Sequence, residues 1–461
     1  MPFIAQIPYG AYWSTPFAKW QGTLSHLHSI EFGAHVAKAE LSKRDINPEI
    51  FDYGVLGMTV PQHRSFNGLP WFTGMIGAPD VAGPTISQVC ATSVRCIQDA
   101  AQSIESETVN TALVATVDRL SNGPQLYYPK PSGIGGTGSH ENLTLDNMQH
   151  DPLGGHSMLQ TAENVAKKHQ ITTEQQHEIV LQRQEQYQMA VVNGSEFLKR
   201  FMSLPFDVPS ANFRKTIAIM EGDEGVFKST PEELGKLKPV LEGGTVTYGG
   251  QTHPTDGNAC MVITTSDLAK ELSSDKKISI KITGFGMARV ENGYMPEAPV
   301  SAAQNALASS GLTLDEIDAV KTHNPFAVND VYFIKQTGYD SKKMNNYGCT
   351  LVWGHPQGPM GIRGVIELIE ELVIRGGGKG LFTSNLIMEG DPDYTTGIDV
   401  IMSQSFSPSN PQSNRLGPNL NGTINPDLDG TYDEYLFTIP SGSYFALRLM
   451  SNLNKSASFS N

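Results

Sequence analysis

The chain has 461 residues, of which 39% are hydrophobic and 17% charged, so it can bury a sizeable core and contain two or three packed units. Its formal net charge of -14 excludes a general nucleic-acid binder, because no basic stripe could offset phosphate repulsion. A local basic pocket for a phosphorylated ligand is still compatible with this charge. No apolar run approaches the roughly 18 residues of a membrane span, and no secretory leader is recognisable. We therefore expect a cytoplasmic protein that binds neither membrane nor nucleic acid.

The four cysteines lie far apart in the sequence and show no metal-ligand spacing, which predicts free thiols in a reducing compartment and no metal site. They are Cys90, Cys96, Cys260 and Cys349. Residues 133–138 fit the spacing GxGxxG, but prolines precede them where a dinucleotide fold needs a strand. The sequence therefore gives no indication of a bound metal or dinucleotide.

The first part of the chain alternates helices and short apolar strands. A helical pattern over residues 31–41 leads into a strand over 53–60, and a strand-like run over 84–89 meets a second helical pattern. Cys90 lies where this run meets the helix. Because the first N–H groups of a helix are unpaired and carry positive partial charge, a thiol there ionises more easily, which suits a nucleophile. The alternative is that Cys90 is only a small apolar residue buried in the core.

The middle of the chain has a different character. Residues 121–243 are richer in Gly, Pro, His and Gln and contain polar helical patterns over 161–169 and 173–190. Beyond them, a helix over 302–308 leads through a polar turn into a strand over 319–322. This repeats the order of helix, turn and strand seen near the start. This weak internal repeat predicts two similar α/β halves.

The second half contains two histidines in unusual loops. His355 lies in Gly354-His-Pro-Gln-Gly358, from where it could take the proton of a cysteine, although such a histidine could equally be a structural hydrogen bonder. His323 and Asn324 directly precede Pro325. They could belong to the same site, or they could only cap the helix that follows the proline.

Several of these blocks carry a family likeness. Gln88-Val-Cys-Ala-Thr-Ser-Val-Arg95 resembles the active-site cysteine block of the thiolases, and Trp353-Gly-His-Pro-Gln-Gly-Pro-Met-Gly-Ile-Arg363 resembles their histidine block. Met158-Leu-Gln-Thr-Ala-Glu-Asn-Val-Ala166 is similar to a phrase in the loop domain that covers their coenzyme A site. The likeness runs from about residue 10 to residue 390, nearer to the sterol-carrier and partner-dependent branch of the family.

The resemblance implies an α/β fold, the duplicated thiolase fold, with two mixed-sheet halves in a layered α-β-α-β-α arrangement and an inserted loop domain. The expected N-terminal half spans residues 1–120 and is continued by 244–272. Residues 121–243 form the loop domain over the coenzyme A site. The expected C-terminal half spans 273–461 and contains an insertion over 403–435, rich in Ser, Asn, Pro and Gly. After it, a last strand over 444–450 is predicted to return to the sheet.

The resemblance also assigns roles to residues. Cys90 is the expected nucleophile, His355 activates it, and His323 stabilises the oxyanion that develops during acyl transfer. Asn324 takes that last role if the register slips by one. Contacts with substrate or coenzyme A are expected from Met158, Gly249, Thr252 and Phe326.

One departure from the family bears on the mechanism. Thiolases carry a second cysteine that moves the proton at the substrate's α-carbon, and in this sequence that position falls on Asn385. An amide does not ionise near neutral pH. Cys349, six residues before His355, is an alternative, but it would have to reach the same proton from a different strand. A histidine doing both jobs, a substrate that needs no such transfer and a loss of activity also remain open.

The expected function is that of a thiolase-type acyltransferase that cleaves a 3-ketoacyl-CoA with coenzyme A, or runs the reverse condensation, through an acyl-cysteine intermediate. The alternatives are a decarboxylating condensing enzyme resembling ketoacyl synthases and a non-catalytic acyl-CoA-binding subunit. Coenzyme A is then a substrate, and no cofactor is expected. The family resemblance implies a homodimer or tetramer and makes a small zinc-binding OB-fold partner subunit plausible.

Overall fold

The structure, a computed structural model, describes residues 4–384 in full and the backbone of three later strands, Gly397–Phe406, Tyr432–Thr438 and Tyr444–Met450. Asn385 and most of the expected insertion over 403–435 lie outside the described residues.

The strands are numbered in chain order. They are β1 (Gln6–Ile7), β2 (Tyr12–Ser14), β3 (Ala18–Lys19), β4 (Tyr53–Gly57), β5 (Thr85–Ile86), β6 (Thr111–Arg119), β7 (Gln125–Tyr128), β8 (Ser139–Asn142), β9 (Phe206–Pro209), β10 (Thr216–Met220), β11 (Thr255–Thr264), β12 (Ile278–Ala288), β13 (Ala319–Thr322), β14 (Gly378–Ser384), β15 (Gly397–Phe406), β16 (Tyr432–Thr438) and β17 (Tyr444–Met450).

The α-helices are numbered in the same way. They are α1 (Ser29–Lys43), α2 (Leu69–Ile76), α3 (Thr92–Glu105), α4 (Leu145–Gln149), α5 (Met158–Lys168), α6 (Thr173–Ser195), α7 (Pro231–Gly235), α8 (Ser266–Leu272), α9 (Ala298–Ser310), α10 (Ala327–Thr337), α11 (Thr350–Trp353) and α12 (Pro359–Ile374).

The main sheet shows the same strand pattern twice. In the first half β1, β11, β6 and β4 lie side by side, and the three pairings are antiparallel, antiparallel and parallel. In the second half β12, β15, β14 and β13 repeat this order and these directions. The short strand β1 also pairs with β12, so the two halves form one hydrogen-bonded path. The duplication inferred from the sequence is therefore present in the strand pairing.

The helices form layers around the two halves of the sheet. On the outside, α1 and α2 pack against β4, β6 and β11 of the first half, whereas α9 packs against β12, β14 and β15 of the second. Between them, α3 and α12 contact each other and strands of both halves. Each helix has the same place in the chain order of its half, because α3 connects the parallel strands β4 and β6 and α12 connects the parallel strands β13 and β14. This is the layered α-β-α-β-α arrangement expected from the family resemblance.

Local sequence patterns explain the central helix α3. Its apolar residues Val94, Ile97, Ala101 and Ile104 are spaced three or four apart, as the sequence pattern predicted, and all four are buried. The strand run predicted before it is shorter in the structure, because only Thr85–Ile86 pairs with β4 before the chain turns.

The middle segment leaves the first half where β6 ends and returns where β11 begins. It carries the hairpins β7–β8 and β9–β10 and the helices α4 to α7. A capping box starts α6, since Thr172 and Gln175 bond reciprocally to each other's backbone N–H. Helices α5 and α6 pack against α10 of the second half, which places this segment beside the loop that contains His323.

The residues after 408 form a separate unit, within which β16 and β17 pair with each other as an antiparallel hairpin. The strand predicted over 444–450 is thus present, but among the described strands its pairing partner is β16, whereas the sequence predicted a return to the main sheet. Among the helices that the structure describes, none combines the length and the apolar character needed to cross a bilayer.

A buried ion pair ties the middle segment to the central layer. The guanidinium of Arg363 on α12 donates to both carboxylate oxygens of Asp223, over 2.6 and 2.7 Å, and both side chains are fully shielded from solvent. The guanidinium also lies over the rings of Phe17 and Trp353, 4.7 and 4.5 Å from their centroids. Because α12 directly follows the loop that contains His355, this pair helps to fix the site described below.

We expect Asp223→Ala to lower the free energy of unfolding by about 3–5 kcal/mol, because it leaves a buried guanidinium with its main counter-charge removed. Urea denaturation followed by circular dichroism measures the change. The control is Lys236→Ala, which removes half of the exposed ion pair with Glu232 and is expected to leave the midpoint unchanged. Equal midpoints for the two variants would contradict the expectation.

Candidate active site

Cys90 sits in a strained turn between β5 and α3. The preceding residue, Val89, has φ +44°, a left-handed conformation that costs a β-branched residue on the order of 1–3 kcal/mol. Thr92 holds the turn, since its Oγ1 donates to Val89 O over 2.6 Å and accepts from Gln88 N over 2.8 Å. The turn breaks the strand direction and leaves Cys90 completely buried at the start of α3.

His355 sits in an equivalent loop before α12. Two residues of this loop have positive φ, Gly354 at +93° and Gln357 at +63°, so the chain turns sharply on either side of the histidine. The backbone of His355 pairs with the segment before β11, donating to His253 O over 2.8 Å. Gly358 N donates to the Asp118 carboxylate at the end of β6 over 2.8 Å. The histidine loop of the second half is thereby bonded to strands of the first.

The structure brings together three residues that are distant in the sequence. Cys90 Sγ lies 2.9 Å from His355 Nε2, and His323 Nε2 lies 3.0 Å from the same nitrogen. The two imidazole rings meet nearly edge to face, at 73°. Cys90 and His323 have no exposed surface and His355 has 5%. The trio that the sequence singled out thus forms one compact cluster at the junction of the two halves.

Burial sets the protonation of this cluster. It raises the pKa of the Cys90 thiol well above its usual range, with a smaller contribution from the charge of Asp118. It lowers the pKa of His355 to about 3, and that of His323 well below its usual range. The sequence suggested that the helix start would ease ionisation of Cys90, but desolvation outweighs that effect here. A neutral thiol and two neutral imidazoles are therefore the resting forms.

Gln357 is a member of the site that the sequence did not point to. Its backbone N–H donates to His355 Nδ1 over 3.0 Å, and its side-chain Oε1 accepts from the Cys90 thiol over 3.3 Å. Since a neutral imidazole has one N–H, accepting at Nδ1 places the hydrogen of His355 on Nε2. The sequence offered one signal for it, its position two residues after His355. A single amide side chain in a loop, however, follows no pattern that predicts a role in a site.

This tautomer bears on metal binding. The ligand atoms of Cys90, His323 and His355 lie within 4.8 Å of one another, a separation that suits a metal ion. A metal-bound histidine, however, normally donates its other ring N–H, whereas His355 Nδ1 accepts a hydrogen bond. The donor chemistry of the cluster fits proton transfer better than metal coordination.

Asn324 and Cys349, the alternative candidates for a role in catalysis, form their hydrogen bonds outside the cluster of Cys90, His323 and His355. Asn324 donates from Nδ2 to Asp330 Oδ2 over 2.9 Å and to Cys349 Sγ over 3.2 Å, and its Oδ1 accepts from Leu351 N. Burial raises the pKa of the Cys349 thiol to about 11. Asn324 and Cys349 thus bond to each other and help to hold the loop before α11. Asn385, the position expected for the second cysteine, lies outside the described residues.

A cavity of about 750 Å³ leads to the cluster. His355 and Gln357 form part of its wall, and Cys90 lies directly behind them. Three of the four residues expected to contact substrate line it, namely Met158, Thr252 and Phe326. Gly249 is absent from the lining; a side chain there would meet Leu234 and Leu237.

Comparisons with known proteins agree with this geometry. Residues 11–267 match the family model described as thiolase, N-terminal domain, and residues 276–388 match thiolase, C-terminal domain. Acetyl-CoA acetyltransferase of Escherichia coli (strain K12) is 29% identical over 373 residues, which cover 80% of this chain and 93% of the relative. Acetyl-CoA acetyltransferase IA of Candida tropicalis is 29% identical over 376 residues, covering 80% and 91%.

Solved structures show the same likeness. The crystal structure of human mitochondrial 3-ketoacyl-CoA thiolase superposes with a TM-score of 0.77 at 26% identity, covering 87% of this chain and 99% of that one. The structure of that enzyme in complex with CoA has the same score and identity. The chain belongs to the thiolase family. Its family domains and its fold are those of a thiolase-type acyltransferase.

We expect the rate of Cys90 alkylation by iodoacetamide to rise about tenfold per pH unit from pH 6 to pH 9 without a plateau. The thiolate is the reactive form, and a thiol whose pKa is raised by burial remains mostly protonated throughout this range. Peptide mass spectrometry at each pH measures the rate, and Cys90→Ser identifies the modified peptide. A plateau below pH 8 would indicate a preformed thiolate–imidazolium pair and contradict the expectation.

Proposed function

We propose that this protein cleaves a 3-ketoacyl-CoA with coenzyme A, or forms it in reverse, through an acyl-Cys90 intermediate. The observation that carries the proposal is the position of Cys90 Sγ, 2.9 Å from His355 Nε2, behind the wall of the substrate-sized cavity. Family membership supplies the reaction class. Coenzyme A is a substrate in this scheme, and no cofactor is needed.

The first half-reaction begins with attack of Cys90 Sγ on the 3-keto carbonyl of the substrate. The carbonyl oxygen becomes an oxyanion, and His355 Nε2–H is placed to donate to it, since the hydrogen of His355 is held on that nitrogen. Collapse of the tetrahedral intermediate breaks the bond between the α- and β-carbons. The products are acyl-Cys90 and acetyl-CoA, whose α-carbon takes up the proton that the Cys90 thiol lost on attack.

The second half-reaction regenerates the enzyme. The thiol of a second coenzyme A attacks the carbonyl of acyl-Cys90, and the released Cys90 recovers the proton that this thiol loses. The same cavity must therefore hold the pantetheine arm and the acyl group. Its lining includes Trp20, Met158 and Phe326 as well as His355.

The cavity also suggests the acyl class. Among the described residues that line it, none is Asp, Glu, Lys or Arg, and Leu120, Leu145, Met148, Leu159 and Met295 contribute apolar walls. A carboxylate buried there would have no counter-charge. We infer that the preferred acyl group is uncharged and apolar.

Other properties rest on the family resemblance alone. Assembly as a homodimer or tetramer, a requirement for a small zinc-binding OB-fold partner and a cytoplasmic location stay predictions. The first experiment below distinguishes the proposed function from its two alternatives, a decarboxylating condensation and a non-catalytic binding role.

Incubation with 3-ketoacyl-CoA thioesters is expected to add one acyl mass to the intact protein. The adduct should be absent in Cys90→Ala and present in Cys349→Ala, because the Cys349 thiol bonds to Asn324 and does not contact the cluster. Intact-protein mass spectrometry measures it. Adducts from malonyl-type thioesters with release of carbon dioxide would favour the condensing enzyme, and no adduct with any thioester would favour a binding role.

The acyl preference is tested with two substrates of equal chain length, 3-ketohexanoyl-CoA and 3-ketoadipyl-CoA, which differ in a terminal carboxylate. We expect kcat/KM for the uncharged substrate to be higher by about 100-fold or more, since burying an unpaired carboxylate costs several kcal/mol. A coupled assay that detects the released acetyl-CoA measures the rates with both substrates. Equal rates would show that the acyl group does not enter the apolar part of the cavity.

A further inference from the structure

The side-chain amide of Gln357 presents an N–H to the cavity. Its Oε1 accepts from the Cys90 thiol over 3.3 Å, and the residue belongs to the cavity wall. In the described part of the chain no residue accepts from its Nε2, yet this nitrogen is not one of the unpaired polar atoms that are sealed off from solvent. Gln357 has only 3% of its surface exposed. Because it lines the cavity, the N–H faces the space that leads to Cys90.

The backbone of Gln357 fixes the direction of this side chain. The residue has φ +63°, a left-handed conformation that strains any residue except glycine. Its N–H donates to His355 Nδ1 over 3.0 Å, and its carbonyl oxygen accepts from Met360 N over 3.4 Å. A glycine would relieve the strain and keep both hydrogen bonds, since they use backbone atoms alone. The strain therefore points to a use for the glutamine side chain itself.

The amide nitrogen lies close to the atom that carries the acyl group. Nε2 and Oε1 are bonded to the same carbon, so they are at most about 2.6 Å apart, and Nε2 lies within about 6 Å of Cys90 Sγ. In acyl-Cys90 the carbonyl carbon is bonded to Sγ, and its oxygen is one bond further away. A donor so placed can reach that oxygen at the length of an ordinary N–H···O hydrogen bond, about 2.7–3.2 Å.

We propose that Gln357 is a further catalytic residue, whose side-chain N–H donates to the carbonyl oxygen of the acyl group on Cys90 in both half-reactions. This inference rests on the proposed function. The amide neither gains nor loses a proton, so it changes no step of the proton balance.

Such a hydrogen bond stabilises the transition state more than the ground state. The oxygen is neutral in the acyl-enzyme and carries negative charge in the tetrahedral intermediate, and a charged acceptor makes the hydrogen bond stronger. The amide is also oriented before the substrate arrives. At rest the Cys90 thiol occupies Oε1 and leaves Nε2 towards the cavity, so the donor needs little reorganisation when the oxyanion forms.

Gln357→Met tests the side chain alone. Methionine is similar in length and has no amide, and its backbone N–H can still donate to His355 Nδ1. We expect kcat for 3-ketoacyl-CoA cleavage to fall by about 10²-fold, the effect of losing one oxyanion donor. KM is expected to change little, because the interaction strengthens only in the transition state.

Infrared spectroscopy of the acyl-enzyme distinguishes a direct contact from a structural effect. The protein is acylated, without free coenzyme A, by an acyl-CoA that carries ¹³C at its carbonyl. The carbonyl band is expected at higher wavenumber in Gln357→Met than in the wild type, because a carbonyl that loses a hydrogen bond has a stiffer C=O bond. The control is Gln125→Met, which removes another amide from the cavity wall and is expected to leave the band in place. An unshifted band in Gln357→Met, or equal shifts in the two variants, would overturn the proposal.

A distance measurement on the unsubstituted protein decides the question if Gln357→Met melts far below the wild type or takes up no acyl group. With ¹⁵N in the glutamine side chains and ¹³C at the acyl carbonyl, solid-state NMR is expected to find an amide nitrogen within about 4 Å of that carbon. No nitrogen within this distance would overturn the proposal. A wild-type protein that forms no acyl-Cys90 with any thioester would instead contradict the proposed function.

Discussion

The carboxylate of Asp118 holds the histidine loop against the half of the molecule that carries the nucleophile. It accepts from the backbone of Thr59 and Val60, both over 2.9 Å, from the Thr59 hydroxyl, and from Gly358 N of the histidine loop. Burial raises the pKa of Asp118 to about 7, and these hydrogen bonds oppose the rise. The contact between Cys90 and His355 depends on this bridge, since the two residues belong to different halves.

Duplication of the fold explains why the reacting groups meet there. Cys90 precedes α3 and His355 precedes α12, and these helices occupy the same place in their respective halves and pack against each other. Each residue is turned inward by positive-φ backbone, at Val89 in one loop and at Gln357 in the other. Ser384 of β14 completes the connection by donating from Oγ to Cys90 O over 3.0 Å. Two copies of one supersecondary unit thus produce a single site at their junction.

The sequence predicted the parts of this arrangement that depend on pattern. The apolar spacing of α3 and the repeated helix–turn–strand phrase identified the duplicated halves, and family blocks identified Cys90 and His355. What it missed depends on three-dimensional packing. The strand before Cys90 is cut short by a strained valine that no propensity indicates. Gln357 acts on His355 through its backbone N–H, which every non-proline residue has, so that role could not be predicted from residue type. The direction of the Cys90 pKa shift follows from burial, which a sequence does not display.

Burial of the cluster also determines when charge can appear. A thiol and two imidazoles that are neutral at rest need no counter-ion, and the described cavity walls offer none. Proton transfer from Cys90 creates one positive imidazolium and one negative centre within a few ångströms, and in a low-dielectric site their attraction offsets part of the desolvation cost. The negative charge then moves from sulfur to the substrate oxygen and to the α-carbon while the cation stays in place. A site of this kind separates charge only while a carbonyl is present to receive it.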